Sequence, residues 1–299
     1  MEEKNMIALI SCFSRAYHYK NNKYRIFSDS LADKLLTEEE YINVSKNMQD
    51  GIKFFNPAFE GTNNEALRWI VDNRLSPSVL GRSIFAETML KNAIRIGASQ
   101  YLIFASGYDT FAYRQKDISH KIPVFEIDRK EIIKDKKDRA NRANLDSTCV
   151  NYIECDLTNK EWINEIKQSI FNPNKISFCS LLGISYYLTK KEFENMISNI
   201  SKILSNGSSV IFDYPTYDKS IQALTNEKLA KQANEEMKSK YSYKEIVEML
   251  AEHDFFVYEH MDNNEMTNNY FDNYNILNPN NKIVAPLGVN YCLAVKKIV

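Results

Sequence analysis

The sequence predicts an α/β protein in which a mostly parallel sheet carries helices on both faces, with a helical lobe over residues 1–78 ahead of a core over 79–299. Two observations carry this expectation. From Tyr101 onward, short apolar runs alternate with longer amphipathic stretches, the pattern of βα units. Several of those stretches open on a Ser or Thr followed three residues later by Glu, a capping box that marks a helix start. The chain has 299 residues, 44% of them hydrophobic, which suffices for one large domain or for a core plus an accessory lobe.

Up to about residue 75 there is no strand-like alternation, and the segment reads as helical. Thr37 and Glu40 form a capping box for a helix through Tyr41, Val44, Met48 and Ile52, after which Asn56-Pro57 breaks the chain. Leu80, Ile84, Phe85, Ala86, Met89, Ala93 and Ile94 then recur at helical spacing up to Gly97. Five strand-like runs follow: 101–104, 124–128, 150–154, 176–182 and 209–213. Between them, Thr158 with Glu161 and Thr189 with Glu192 read as capping boxes of crossover helices. Residues 217–241, charged and rich in Ala, Lys and Glu, read as a helical insertion after the fifth strand, and Ser242 with Glu245 caps a further helix. The runs 255–260 and 289–295 read as a terminal hairpin that brings the sheet to seven strands. The Asn-dense stretch 263–281 between them reads as a disordered loop or as polar filler.

Composition narrows the function. Lys plus Arg (38) nearly balance Asp plus Glu (39), so no net field attracts nucleic acid or an anionic membrane. No run approaches the ~20 apolar residues that span a bilayer. The start, Met1-Glu2-Glu3-Lys4-Asn5, lacks the basic and apolar regions of a secretory signal, so the cytoplasm is expected. The 5 cysteines form no C-x2-C pair and the 4 histidines no metal-binding spacing, so neither a disulfide framework nor a metal site is expected.

In an open α/β sheet, ligands bind beyond the carboxyl ends of the strands, so the residues just after each apolar run are the site candidates. The first run delivers Ala105, Ser106 and Gly107, where a glycine lets the backbone approach a ligand closely. The second ends at Asp128, near the spacing expected between a glycine turn and a ribose-binding carboxylate. The third ends in Cys155-Asp156-Leu157, an acidic acceptor and an aliphatic face for an adenine. The G-x-G-x-x-G of a dinucleotide site is absent, the equivalent positions being Ala105, Gly107 and Thr110, so a nicotinamide dehydrogenase is disfavoured. S-adenosylmethionine carries the same nucleoside without phosphates, and one glycine can serve it.

The chain resembles the leucine carboxyl methyltransferase-like enzymes, which include protein phosphatase carboxyl methyltransferase and polyketide O-methyltransferases. The resemblance spans roughly 11–215. It rests on Ser14-Arg15-Ala16, on the stretch from Phe27 to Ala32, on Gly81-Arg82-Ser83, and on the stretch from Gly107 through Arg114. Phe125-Glu126-x-Asp128, Cys155-Asp156-Leu157 with Trp162, and Leu182-Gly183 leading to Tyr187-Leu188 complete it. It implies a class I methyltransferase, Rossmann-like, with S-adenosyl-L-methionine as cofactor. On that resemblance Arg82 binds the cofactor carboxylate, Ala105 to Gly107 pass under its methionine moiety, Asp128 holds the ribose, and Asp156 with Leu157 contacts the adenine. Two positions depart from the family: Ala105 replaces its usual glycine, and Leu182 its usual glutamate. One methyl of crowding and one lost acceptor near the cofactor's amino group are therefore expected.

The expected acceptor is a small molecule, methylated on a carboxylate or hydroxyl. A carboxylate, with an ordinary pKa of about 4, needs no base to become a nucleophile. The acceptor pocket is expected between the N-terminal helices and the 217–241 insertion, lined by Arg15, Tyr17, Tyr187 and Tyr214. A silent nucleoside-binding module and a protein carboxyl methyltransferase are the alternatives, and no catalytic side chain is assigned.

Overall fold

The computed structural model describes residues 6–159, 161–218 and 237–298. The apolar runs form the strands β1 (Gln100–Phe104), β2 (Val124–Asp128), β3 (Val150–Glu154), β4 (Ser177–Leu181) and β5 (Ser209–Pro215), followed by β6 (Phe255–Met261) and β7 (Val289–Lys296). They build one seven-stranded sheet in the order β3-β2-β1-β4-β5-β7-β6. β1 to β5 are parallel, and β7 runs antiparallel to both β5 and β6. The strand order reverses at β1, which pairs with β2 on one side and β4 on the other. That switch point opens a crevice at the carboxyl ends of the strands.

Both faces of the sheet are covered, as near-continuous apolar strands require. Ile103, Phe178 and Ile211 point to one side, where they share a core with Leu80, Phe85 and Leu90 of helix Ser76–Arg95. Leu102, Phe104, Phe125 and Phe212 point to the other, against Phe193, Ile197 and Ile200 of helix Lys190–Ile203. Alternate residues of a strand thus fill opposite layers. The capping boxes at Thr37, Thr189 and Ser242 form as expected.

The N-terminal helices are α1 (Met6–Asn21), α2 (Glu38–Asp50) and α3 (Asn63–Ile70), and helix Ser76–Arg95 is α4. The expected boundary at residue 78 falls near the start of α4. Buried charged side chains tie α1 to the turn after β1 and α2 to the helix after β2. Arg15 Nε donates to Asp29 Oδ2 at 2.8 Å, and Arg15 Nη2 to the Tyr108 carbonyl at 2.7 Å. Arg139, on α5 (Lys130–Arg142), donates to both oxygens of Glu40 at 2.7 and 2.8 Å.

Several local expectations are corrected. The helix expected to run through Ile52 stops at Asp50, and Gly51 separates it from a short turn, Ile52–Phe55. Helix α3, within the segment that reads as helical, opens on a further capping box at Thr62 and Glu65. Thr158 and Glu161 form no box, because Asp156 Oδ1 captures both the backbone N–H and the hydroxyl of Thr158, at 2.9 and 2.7 Å. The next helix, Trp162–Gln168, starts on Glu161 instead.

The Asn-dense stretch is ordered as helical turns from Asn263 to Leu277, which bury Met266, Phe271 and Tyr274. Asn275 is a buried bracket there, accepting from Ile283 N–H at 2.8 Å and donating to the Ile283 carbonyl at 2.9 Å. β6 and β7 are therefore joined by a helical excursion rather than a tight turn. The helical insertion expected at 217–241 lies mostly at 219–236, outside the described residues.

Candidate active site

A cavity of about 310 Å³ opens over the carboxyl ends of β1 to β4 and is covered on one side by α1. Its floor is the turn after β1. Ala105 has φ +49° and Gly107 φ +48°, so both sit in the left-handed region. For the alanine this costs roughly 1–2 kcal/mol that a glycine would not incur. Gly107 has a second reason to lack a side chain: a Cβ there would come within 3.2 Å of the Ala8 methyl of α1. Ser106 Oγ, buried in the cavity wall, has no hydrogen-bond partner among the described residues.

Asp128, at the end of β2, braces this turn. Its Oδ2 accepts from Gly107 N–H and its Oδ1 from Arg129 N–H, both at 2.8 Å. Burial raises its pKa from the ordinary carboxylate value, and the two N–H donors oppose that rise. One β-strand over, Asp156 and Leu157 line the same cavity beside Cys155, whose thiol burial pushes up to about 12. Hydrogen bonds from Thr158 hold the Asp156 carboxyl below its usual range.

The opposite wall comes from β4 and α4. Leu182 and Gly183 follow β4, and Arg82 lies across Gly183. A Cβ on Gly183 would overlap Arg82 Nη1 and stand 2.9 Å from Cζ. Arg82 Nη2 donates to Ser11 Oγ of α1 at 3.2 Å, and Nη1 lies 3.8 Å from Oδ2 of the fully buried Asp213. Asp213 in turn accepts from Gly183 N–H at 2.7 Å and from the Tyr186 hydroxyl at 2.9 Å. The guanidinium is thus anchored at its back and presents an edge to the cavity.

The structure therefore brings Arg82, Ala105, Ser106, Gly107, Asp128, Asp156, Leu157 and Leu182 around one space, together with Arg15 and Tyr187. Arg15 borders the cavity, but its donors go to Asp29, the Tyr108 carbonyl and the Ser11 carbonyl, so it clamps α1 to the β1 turn. Two expected lining residues lie elsewhere. Tyr17 faces a separate cleft among the N-terminal helices. Tyr214 is fully buried inside β5, its hydroxyl 2.8 Å from His260 Nε2, because the sheet continues to Pro215 and encloses it. Ser11, Ser180 and Asp109 line the cavity without having been singled out as lining residues. Asp213, which anchors Arg82, could have been found as the last residue of an apolar run. Ser11 carries no sequence signal, since it reaches the site only through the packing of α1.

The chain is similar to known proteins in sequence and in fold. The sequence model described as leucine carboxyl methyltransferase matches residues 8–201. The provisionally named S-adenosyl-L-methionine-dependent methyltransferase YktD of Bacillus subtilis (strain 168) is 32% identical over 308 aligned positions, covering 99% of each chain. Among solved structures, a provisionally assigned methyltransferase from Thermobifida fusca YX superposes with a TM-score of 0.57 at 12% identity, over 98% of this chain and 95% of that one. A DUF574 family protein from Streptomyces avermitilis MA-4680 gives the same TM-score, 0.57, at 12% identity, over 96% and 97% of the two chains. At that identity the likeness is one of fold.

Proposed function

Because the chain belongs to the leucine carboxyl methyltransferase family and is an S-adenosyl-L-methionine-dependent methyltransferase, we propose that it methylates a carboxylate or hydroxyl oxygen of a small molecule. The observation that carries the site assignment is the convergence of Asp128, Asp156 and Arg82 on one cavity whose floor is the Ala105 to Gly107 turn. The cavity fits the cofactor's parts. A carboxylate meets the guanidinium of Arg82, and the buried Ser106 hydroxyl lacks a partner that a bound polar group would supply.

In this reading Arg82 holds the cofactor carboxylate, Asp128 the ribose hydroxyls, and Asp156 with Leu157 the adenine. Leu182 adds apolar wall. The bound cofactor supplies an electrophilic methyl group, and the chain's own task is to align an acceptor oxygen with it and exclude water. Ile7, Ala8, Ile184, Tyr187 and Leu188 make up the mainly apolar part of the lining beyond the cofactor positions, which shapes an acceptor rather than activating it. No histidine lines the cavity among the described residues, and the carboxylate there besides Asp128 and Asp156, that of Asp109, accepts from Phe111 N–H; this scarcity of bases supports an acceptor already ionised at neutral pH. Cover by α1, itself held by Arg15, favours a small acceptor over a folded protein surface. The free cysteines fit a reducing, cytoplasmic setting, and no described helix is long and apolar enough to cross a membrane.

Methyl-labelled cofactor incubated with panels of small carboxylic acids and phenols tests the acceptor. Base-labile label marks a carboxyl ester and base-stable label an ether, while label found only on added protein overturns the small-molecule reading. The cofactor assignment has its own test. Asp128→Ala removes charge-assisted bonds worth ~1.5–3 kcal/mol and leaves the Gly107 N–H without its acceptor, so S-adenosylhomocysteine should bind roughly 10-fold or more weakly by calorimetry. An unchanged affinity would refute the ribose role.

A further inference from the structure

The methionine end of the cofactor is a zwitterion, and Arg82 answers only its carboxylate. Resting on the cofactor reading above, we propose that Asp109 binds the ammonium group. Asp109, Asp128 and Asp156 are the aspartates that border the cavity among the described residues. Asp128 and Asp156 follow β2 and β3, on the nucleoside side of the β1 turn, and both oxygens of Asp128 already accept backbone N–H groups. Asp109 sits past Gly107, on the turn after β1, and is half-buried. Its Oδ1 accepts from Phe111 N–H at 2.6 Å, and its Oδ2 has no hydrogen-bond donor among the described residues.

The neighbours on that side leave the charge to Asp109. Leu182, the first residue past β4, offers no side-chain acceptor. Asp213 is fully buried, outside the cavity lining, and engaged by Gly183, Tyr186 and Arg82. Ser180, in the cavity wall, is bonded to the Tyr101 hydroxyl at 3.0 Å. The field of Asp109 reaches that pair: burial pushes the Tyr101 phenol well above its usual range, and Asp109 is the next cause. An ammonium placed between Asp109 and the Ser180 hydroxyl would meet an anion on one side and a neutral acceptor on the other, with Arg82 left for the carboxylate.

The test pairs a protein change with a ligand change. S-adenosylhomocysteine and its deamino analogue, which keeps the carboxylate and has hydrogen in place of the amino group, are titrated into the wild-type protein and Asp109→Asn. Asparagine retains the acceptor for Phe111 and loses the charge. The variant should bind S-adenosylhomocysteine roughly tenfold or more weakly and the deamino analogue within about twofold of wild type. Asp109→Glu, which keeps the charge, should preserve the wild-type preference for the aminated ligand and supplies the reading if the asparagine variant does not fold. Equal losses for both ligands, or no loss for either, would overturn the assignment. If the wild-type protein binds neither ligand, the cofactor reading falls and this one with it.

Discussion

Gly183→Ala should leave the protein folded and deprive it of most of its affinity for S-adenosylhomocysteine. The new methyl group would overlap Nη1 of Arg82 and stand 2.9 Å from Cζ and 3.2 Å from Nη2. These atoms end a flexible side chain, so the guanidinium swings away while the backbone stays. Gly183 also has φ +69°, and an L-residue there costs roughly 1–2 kcal/mol of stability. The loss of one charge-assisted contact is worth ~1.5–3 kcal/mol, or roughly 10- to 150-fold in affinity. If Gly183 acts only through Arg82, the double variant with Arg82→Ala should bind no more weakly than Arg82→Ala alone. Calorimetry on the three variants decides it, and wild-type affinity in Gly183→Ala would show that the guanidinium is not a cofactor ligand.

The second large effect is on stability. Lys136 of α5 and Glu126 of β2 are both fully buried and meet at 2.5 Å, without a hydrogen bond of good geometry at either end. Removing one member of such a pair strands the other charge, typically at a cost of ~3–5 kcal/mol, so Lys136→Met should lose about that much. Its pH dependence identifies the cause. Burial raises the Glu126 pKa from 4.5 to about 7 in the folded protein, with Lys136 pulling it back down. Without Lys136 it rises further. A folded state that holds its proton to higher pH than the unfolded chain loses stability as pH rises through that interval. The deficit of Lys136→Met against wild type should therefore be smaller at pH 5 than at pH 8 in urea denaturation, and Glu126→Gln added to it should recover part of the loss at pH 8. A deficit as large at pH 5 as at pH 8 would mean the lost lysine packing, rather than the stranded carboxylate, sets the cost.

The strands were the most legible elements. β2 and β3 begin and end at the residues where their strand-like runs do, since short runs rich in β-branched and aromatic residues stand out between polar flanking segments even where, as with Glu126 and Asp128 of β2, they carry charges. Short amphipathic helices were harder: α3 spans only Asn63–Ile70, too few turns for periodicity to stand out. The asparagine-rich stretch misled because composition counts polar side chains without regard to where their bonds go. Asn275 is buried and satisfied by Ile283, and Tyr274 packs into the core. Of the lining tyrosines expected, Tyr187 reaches the cavity while Tyr17 and Tyr214 do not, because a phenol suits a half-buried site anywhere on the molecule.

By itself, the sequence determined the sheet, its crossover helices and the strand-end residues that gather around one cavity. Those follow from local rules, namely side-chain period, capping and the placement of ligands beyond parallel strands. Only the tertiary structure decided that Arg15 clamps α1 to the β1 turn, that Asp213 stands behind Arg82, and that Ala8 and Ser11 close the cavity. Each of those contacts joins residues far apart in the chain, and no local pattern encodes which distant surfaces pack together.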